Sequence, residues 1–92
     1  MRPPSTIDGS RVLKVAQLAQ TRPTGRTRHY RDGELQTGFA ALALAEYPGD
    51  TGIYLPYCDE NWNCLNDTHH EDVASAEAQA EFEFEGMTLT DP

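Results

Sequence analysis

Residues 39–45 read Phe-Ala-Ala-Leu-Ala-Leu-Ala, an unbroken apolar run in the middle of a 92-residue chain. A strand covered on both faces has this character, because neither of its sides meets water. Alanine also favours helix, so the run alone leaves both structures open. We place it as the central strand of an antiparallel sheet, since the turn-forming sequence Tyr-Pro-Gly-Asp-Thr-Gly follows at 47–52.

Two more strands are expected after this turn. Residues 53–58 alternate Ile, Leu and Tyr with Tyr, Pro and Cys, which is the period of a strand. Pro56 has no backbone N–H to donate, so we expect this strand, or at least that position, to face an unpaired edge. Residues 59–61 (Asp-Glu-Asn) form a polar turn, and residues 62–68 return as the third strand.

The N-terminal half carries one clear local signal, the dipeptide Asp32-Gly33. It predicts a type I′ turn between a short strand at 28–31 and another beginning near Glu34. Residues 11–20 fit both helical and strand spacing, and we favour a strand. Residues 1–10 hold two prolines and a glycine without periodicity, which predicts a flexible N-terminus.

The last element is predicted to be a helix over residues 73–85. Apolar and acidic residues alternate there, as in a strand, yet Ala, Glu and Gln are strong helix formers. Asp72 is a good N-cap and Gly86 a good helix end. The apolar stripe of this helix comprises Val73, Ala76, Ala80 and Phe84. Its outer surface is expected to carry Glu77, Glu81, Glu83 and Glu85.

These elements predict an α+β fold: an antiparallel β-meander of three to four strands with one C-terminal helix packed on one face. Residues 11–88 would form a single small α+β domain, with residues 89–92 as a tail. A chain of this length buries only about 60–65% of its unfolded surface.

The charge is divided along the chain. Residues 1–31 contain all seven cations and one acid, Asp8, a net of +6. Residues 32–92 contain fourteen acids and no Lys or Arg, a net of −14. Either the basic segment folds onto the acidic part and neutralises it, or acidic surface stays free to attract a basic partner.

Three segments resemble a group of small, uncharacterised bacterial proteins. Residues 54–63 read Tyr-Leu-Pro-Tyr-Cys-Asp-Glu-Asn-Trp-Asn, residues 67–71 Asp-Thr-His-His-Glu and residues 79–86 Gln-Ala-Glu-Phe-Glu-Phe-Glu-Gly. They are similar to a Y-C-D-E-x-W strand-turn-strand followed by an acidic helix ending in E-F-E-[FY]-x-G. The resemblance covers about residues 42–86 and implies this order of elements, with no established activity.

The chain contains Asp, Asn, Cys and His side chains of the kinds that bind metals, but their spacing does not match a calcium or a zinc site. Asp59-x-Asn61-x-Asn63 copies the start of a calcium loop, but the glycine and the glutamate that complete the loop are replaced by Cys64 and His70. The spacing of the two cysteines and the His69-His70 pair matches no usual zinc pattern. We therefore predict no metal site, no cofactor and, without a placed nucleophile, no enzyme. Whether Cys58 and Cys64 are bridged is left open.

The favoured function is a protein-binding module that presents an acidic surface to a basic partner, for example an inhibitor of the immunity or antitoxin type. Its partner-binding residues would be Glu60, Trp62, Glu71, Asp72, Glu77, Glu81 and Glu85. The alternative is a nucleic-acid-associated protein that uses Arg22, Arg26, Arg28, Tyr30 and Arg31. An isoelectric point near 4.6 argues against nucleic acid as a partner, because a negatively charged surface repels phosphates. With no membrane-spanning run and no export signal, we expect a cytoplasmic protein that does not bind membranes.

Overall fold

A computed structural model describes residues 3–92, and within them the chain forms one helix and nine strands. The N-terminal strands are β1 (Thr6–Ile7), β2 (Ser10–Gln17), β3 (Arg22–Pro23), β4 (His29–Arg31) and β5 (Glu34–Gln36). The C-terminal elements are β6 (Ala41–Glu46), β7 (Ile53–Cys58), β8 (Cys64–His70), the helix α1 (Val73–Glu83) and β9 (Phe84–Glu85). The fold is α+β, with the helix packed on a curled antiparallel sheet.

The main sheet has five strands in the order β1-β2-β6-β7-β8, all antiparallel. The expectation of a meander of three to four strands was therefore too simple. Only β6, β7 and β8 follow one another as a meander. Strand β2, whose segment was ambiguous in the sequence, pairs with β6 across the intervening residues 18–40, which we call the arm. The arm contains β3, β4 and β5, and β3 and β9 pair in a separate small sheet.

The apolar run does form a strand inside the sheet, as predicted. Leu42 and Leu44 are completely buried on the helix side, where they join a cluster that contains Ala76 and Ala80 of α1. Ala41 and Ala43 face the opposite side and pack in a second cluster with Trp62 and Val12. Both faces of β6 are covered, which is why the run shows no polar alternation.

Pro56 does not mark an edge strand. Strand β7 has a neighbour on each side, β6 and β8, so this expectation was wrong for the strand as a whole. Pro56 pairs with Asp67 of β8, but towards β6 the paired residues lie on either side of it: Ala45 pairs with Tyr54, and Leu42 and Ala41 pair with Tyr57 and Cys58. The ladder opens between these pairs, where Pro56 lacks the N–H that would close it.

The helix begins as predicted and ends earlier. Asp72 is the N-cap, and its side chain accepts a hydrogen bond of 2.8 Å from the backbone N–H of Ser75. The helix stops at Glu83, because Phe84 turns to an extended conformation (φ −132°, ψ 116°) and pairs with Pro23 in the β3–β9 sheet. Glu83 is 4% exposed, so its predicted place on the acidic outer surface was wrong.

Local turn chemistry fixes two of the hairpins, β4–β5 and β7–β8. Asp32 and Gly33 have φ of 52° and 81°, the left-handed pair that the predicted turn between β4 and β5 requires. The turn between β7 and β8 is longer than predicted: Trp62 lies in it with φ 63°, and the third strand starts at Cys64 and runs to His70. Cys58 and Cys64 face each other across this hairpin as free thiols.

Backbone pairs reach both ends of the described chain. Ile7 of β1 is buried, and Thr90 forms a bridge with Val15, so residues on each side of the expected domain bounds 11–88 contact the sheet. Met1 and Arg2, part of the expected flexible terminus, lie outside the described residues. Helix α1, with 11 residues, falls short of what a membrane crossing requires, and residues 3–92 contain no other helix.

Candidate functional site

The arm and the end of α1 meet at a buried cluster of polar side chains. His29 comes from β4, Tyr57 from β7 and Glu83 from the last residue of the helix. Their exposed fractions are 6%, 0% and 4%. A buried carboxylate and imidazole are costly unless they are fully hydrogen-bonded, so their partners decide whether the cluster is stable.

Every oxygen of the Glu83 carboxylate has a donor. His29 Nε2 lies 2.6 Å from Glu83 Oε1. The Tyr57 hydroxyl and the Gln79 amide (3.0 Å) both donate to Glu83 Oε2. On the far side of the imidazole, the Asn66 amide nitrogen lies 3.3 Å from His29 Nδ1. If that amide donates, the imidazole proton is on Nε2, which then donates to Glu83.

Aromatic packing surrounds this cluster. The His29 ring lies 4.1 Å from the Tyr57 ring and 5.4 Å from the Phe39 ring, between centroids. Burial, followed by the hydrogen bond to Glu83, raises the pKa of the Tyr57 hydroxyl well above its ordinary value, so this group stays protonated as a donor. The cluster joins three distant parts of the sequence through one carboxylate.

The hydrogen bonds of the cluster favour a structural role over a catalytic one. A histidine beside a carboxylate is the usual arrangement of a general base, but a base needs one free ring nitrogen near its substrate. In the described residues, both His29 nitrogens are engaged, by Glu83 and by Asn66, and no serine, threonine or cysteine bonds to the ring. The geometry therefore favours positioning of the arm over catalysis.

A cleft of about 420 Å³ opens beside the cluster, between the arm and the end of α1. Its walls are mainly apolar and come from Leu18, Leu35, Phe39 and Phe84. His29 and Glu83 contribute to its buried side, and Arg28 to its lining from the arm. A concave, largely apolar site with a few polar groups is the usual form of a small-molecule site.

The acidic residues predicted to meet a partner divide into separate positions. Glu71 and Asp72 are exposed at the start of α1, and Glu81 and Glu85 are exposed near its end. Glu77 is half-buried and lies 3.4 Å from the Lys14 ammonium. Glu60 is exposed in the turn before β8, whereas Glu71 follows the end of that strand, so β8 separates the two.

Trp62 is placed differently from the others. It was predicted to be one of the partner-binding residues, but its side chain is only 7% exposed. It packs against Val12, Ala43 and Cys58 in the cluster on the side of the sheet away from α1. Its ring is part of the core, and little of it is available for contact with another protein.

The predicted basic strip lies in the arm with all five side chains exposed. Arg22 is in β3, beside Glu85 of β9, and Arg26 lies over the Phe82 ring at 5.3 Å. Tyr30 is 56% exposed on β4. Among the described residues, the Lys and Arg side chains that form ion pairs are Arg11, with Glu46, and Lys14. The arginines of the arm therefore do not neutralise the acidic residues through direct pairs.

In the turn that resembles the start of a calcium loop, the Asp59 carboxylate oxygens accept hydrogen bonds from the turn itself. The Asp59 carboxylate accepts hydrogen bonds from the backbone N–H groups of Asn61 and Asn63, and from the Asn63 amide. These bonds lower the pKa of Asp59 and close the turn internally. Residues 3–92 contain no group of three or more His, Cys, Asp or Glu that could hold a metal ion.

Sequence reasoning missed His29, Tyr57 and Glu83 as a group. Glu83 could have been found, because it continues the spacing of the buried alanines: positions 76, 80 and 83 lie on one helical face. A glutamate in that position requires a buried partner. His29 offers no comparable signal, since its burial depends on where the arm docks.

Comparison with protein-family models, with curated proteins and with solved structures found no match to this chain. The resemblance of residues 42–86 to small bacterial proteins accordingly stays a prediction.

Proposed function

We propose that this chain is a protein-binding module that presents an acidic surface to a basic partner, as an inhibitor of the immunity or antitoxin type does. In this proposal it acts in the cytoplasm and is not an enzyme. The exposed side chains of the surface are Glu60, Glu71, Asp72, Glu81 and Glu85, and Trp62 is left out because it is buried.

One observation carries the proposal: these five carboxylates are exposed, and none of them forms an ion pair with a cation among residues 3–92. The opposite result, with the carboxylates paired to the arginines of the arm, would have left a neutral exterior. Unpaired surface charge of one sign attracts a partner of the other sign and raises its association rate by roughly 10–10³-fold.

The test is capture of a partner by two variants that carry the same change in net charge. The surface variant combines Glu71→Gln, Glu81→Gln and Glu85→Gln. The control variant combines Asp32→Asn, Glu34→Gln and Asp91→Asn, which are exposed acids elsewhere. Asp72 is left unchanged in both, because it caps the helix.

We expect the wild-type protein to retain a basic protein from the source lysate, more weakly as salt is added. The surface variant should lose this protein and the control variant should keep it. The purified partner should then bind with the same order of affinities in a direct titration. Partners that are acidic or neutral and insensitive to salt would contradict the proposal, as would equal losses in the two variants.

A second candidate function rests on the arm. Arg22, Arg26, Arg28 and Arg31 are exposed with Tyr30 among them, and none of the four has a carboxylate within 4 Å in the described structure. Cations for phosphates and a ring for stacking are what a nucleic-acid contact needs. The surrounding negative charge opposes it. Failure to shift DNA or RNA at about 50 mM salt would eliminate this candidate, since phosphate contacts are strongest at low salt.

A further inference from the structure

We propose that the cleft between the arm and the end of α1 binds a small molecule with an apolar body and one carboxylate, and that Arg28 recognises the carboxylate. The inference does not depend on the acidic surface, because none of the residues of that surface lines the cleft. Three features of the cleft lead to this class of ligand.

The walls define the body of the ligand. Leu18 and Phe84 are buried, Phe39 is half-buried and Leu35 is 50% exposed, so apolar surface lines the cleft from its inner side to its opening. Filling about 420 Å³ with an apolar molecule would remove this surface from water. Leu35 would bury the largest share of its surface, because it is otherwise half-exposed to solvent.

The buried side of the cleft offers a cationic ligand no exposed carboxylate. Glu83 is the acid in the lining, and a ligand amine would need one of its oxygens. Oε1 already accepts from His29, and Oε2 accepts from Tyr57 and Gln79. The carboxylate is also only 4% exposed. An apolar surface can lie against this satisfied cluster without taking any of its hydrogen bonds.

Arg28 is the charged group of the lining that remains available. It is exposed, and no hydrogen bond or ion pair engages its guanidinium in residues 3–92. A guanidinium presents five donors in a planar fork that fits a carboxylate in a bidentate manner. An apolar wall with one free arginine is complementary to an apolar monocarboxylic acid.

The experiment uses 2-naphthoate and its neutral analogue 2-naphthamide, which have the same ring system. Binding to the full chain is measured by calorimetric titration, and the site is located from chemical-shift changes of the backbone amides. Arg28→Gln removes the recognition group. Arg31→Gln is the matched control, since it makes the same charge change on β4 at a residue outside the lining.

We expect 2-naphthoate to bind about tenfold more tightly than 2-naphthamide, as one charge-assisted pair predicts. Arg28→Gln should remove this preference and leave the amide affinity unchanged, and Arg31→Gln should alter neither. Shifts should appear at Phe39 and Phe84 and not at Ile7, which is buried on the far side of the sheet and lines no part of the cleft. Equal affinities of the two probes, no binding of either, or an equal effect of the two arginine variants would overturn the proposal.

Discussion

Glu83 Oε1 lies 2.6 Å from His29 Nε2, although 54 positions of sequence separate the two residues. This contact joins the last residue of α1 to the first residue of β4, and so joins the arm to the body of the fold. Because both side chains are buried, neither can exchange its partner for water without opening the structure.

Replacement of Glu83 by alanine should destabilise the protein strongly. Glu83→Ala leaves the donors of His29, Tyr57 and Gln79 without an acceptor in a buried site. We expect the free energy of unfolding to fall by about 3 kcal/mol, as for removal of one partner from a buried polar pair. Urea denaturation measures this change.

The control is Glu81→Ala, which removes an exposed glutamate two positions earlier on the same helix. Its expected effect is within about 0.5 kcal/mol. If the two variants unfolded at the same urea concentration, Glu83 would have no special structural role.

The Tyr57 hydroxyl should make the protein sensitive to high pH. Burial raises its pKa in the folded state above the unfolded value of 10.0. A raised pKa gives stability that is fully present below about pH 10 and is lost as the pH rises further, because only the unfolded chain then releases the proton. The absorbance of tyrosinate should therefore show one of the four tyrosines ionising only together with unfolding.

The Tyr57→Phe variant provides the check. Its stability at neutral pH should be lower, because Glu83 loses a donor, but the decline of stability above pH 10 should be shallower. An unchanged slope in the alkaline range would show that another group controls it.

The two cysteines should differ in reactivity. Burial raises the pKa of the Cys58 thiol to about 12, so near pH 8 only about one molecule in ten thousand carries the thiolate. Burial also raises the pKa of Cys64, but this side chain is half-exposed. Iodoacetamide should thus label Cys64 first, as followed by mass spectrometry of the peptides.

In denaturant both thiols should react at the same rate, which controls for their chemistry. Labelling of Cys58 before Cys64 in the folded protein would contradict the packing of Cys58 under Trp62 and Val12.

Two glycines in the turn between β6 and β7 should respond differently to alanine. Gly49 and Gly52 both have positive φ (76° and 93°), which costs an L-residue about 1–2 kcal/mol. A Cβ on Gly49 meets no atom within 4 Å, whereas one on Gly52 would lie 2.6 Å from the His70 carbonyl oxygen. We expect Gly52→Ala to cost about 2 kcal/mol more than Gly49→Ala in thermal or urea unfolding. Equal costs would mean that the β8 backbone shifts freely.

Local signals in the sequence predicted those elements whose structure depends on neighbouring residues. The Asp32-Gly33 turn and the Asp72 cap each depend on about four consecutive residues. The apolar run 39–45 is long enough for its composition alone to indicate a buried segment. The end of the helix was misplaced by two residues, because Phe84 leaves it to pair with Pro23, far away in sequence.

The candidate site depends on just such distant pairings. Strands β3 and β9 have two residues each, too few to show a period, so the docking of the arm leaves no pattern to read. Without that docking, His29 looks like one more polar residue of a basic loop. Only the burial of Glu83 could have been predicted, because its position continues the buried face of α1.

The slight attachment of the arm has a consequence for motion. Its backbone joins the rest of the molecule through the two residue pairs of β3 and β9 and through two further hydrogen bonds, from the Thr24 N–H to the Glu83 carbonyl and from the Ala40 N–H to the Cys58 carbonyl. Strand β6, in contrast, pairs with a strand on each side. Sub-global opening should therefore begin in the arm, and amide protons of β3 and β4 should exchange before those of β6. A molecule seated beside Phe39 and Phe84 would slow that exchange, so its occupancy would register in the arm long before it altered the melting of the whole chain.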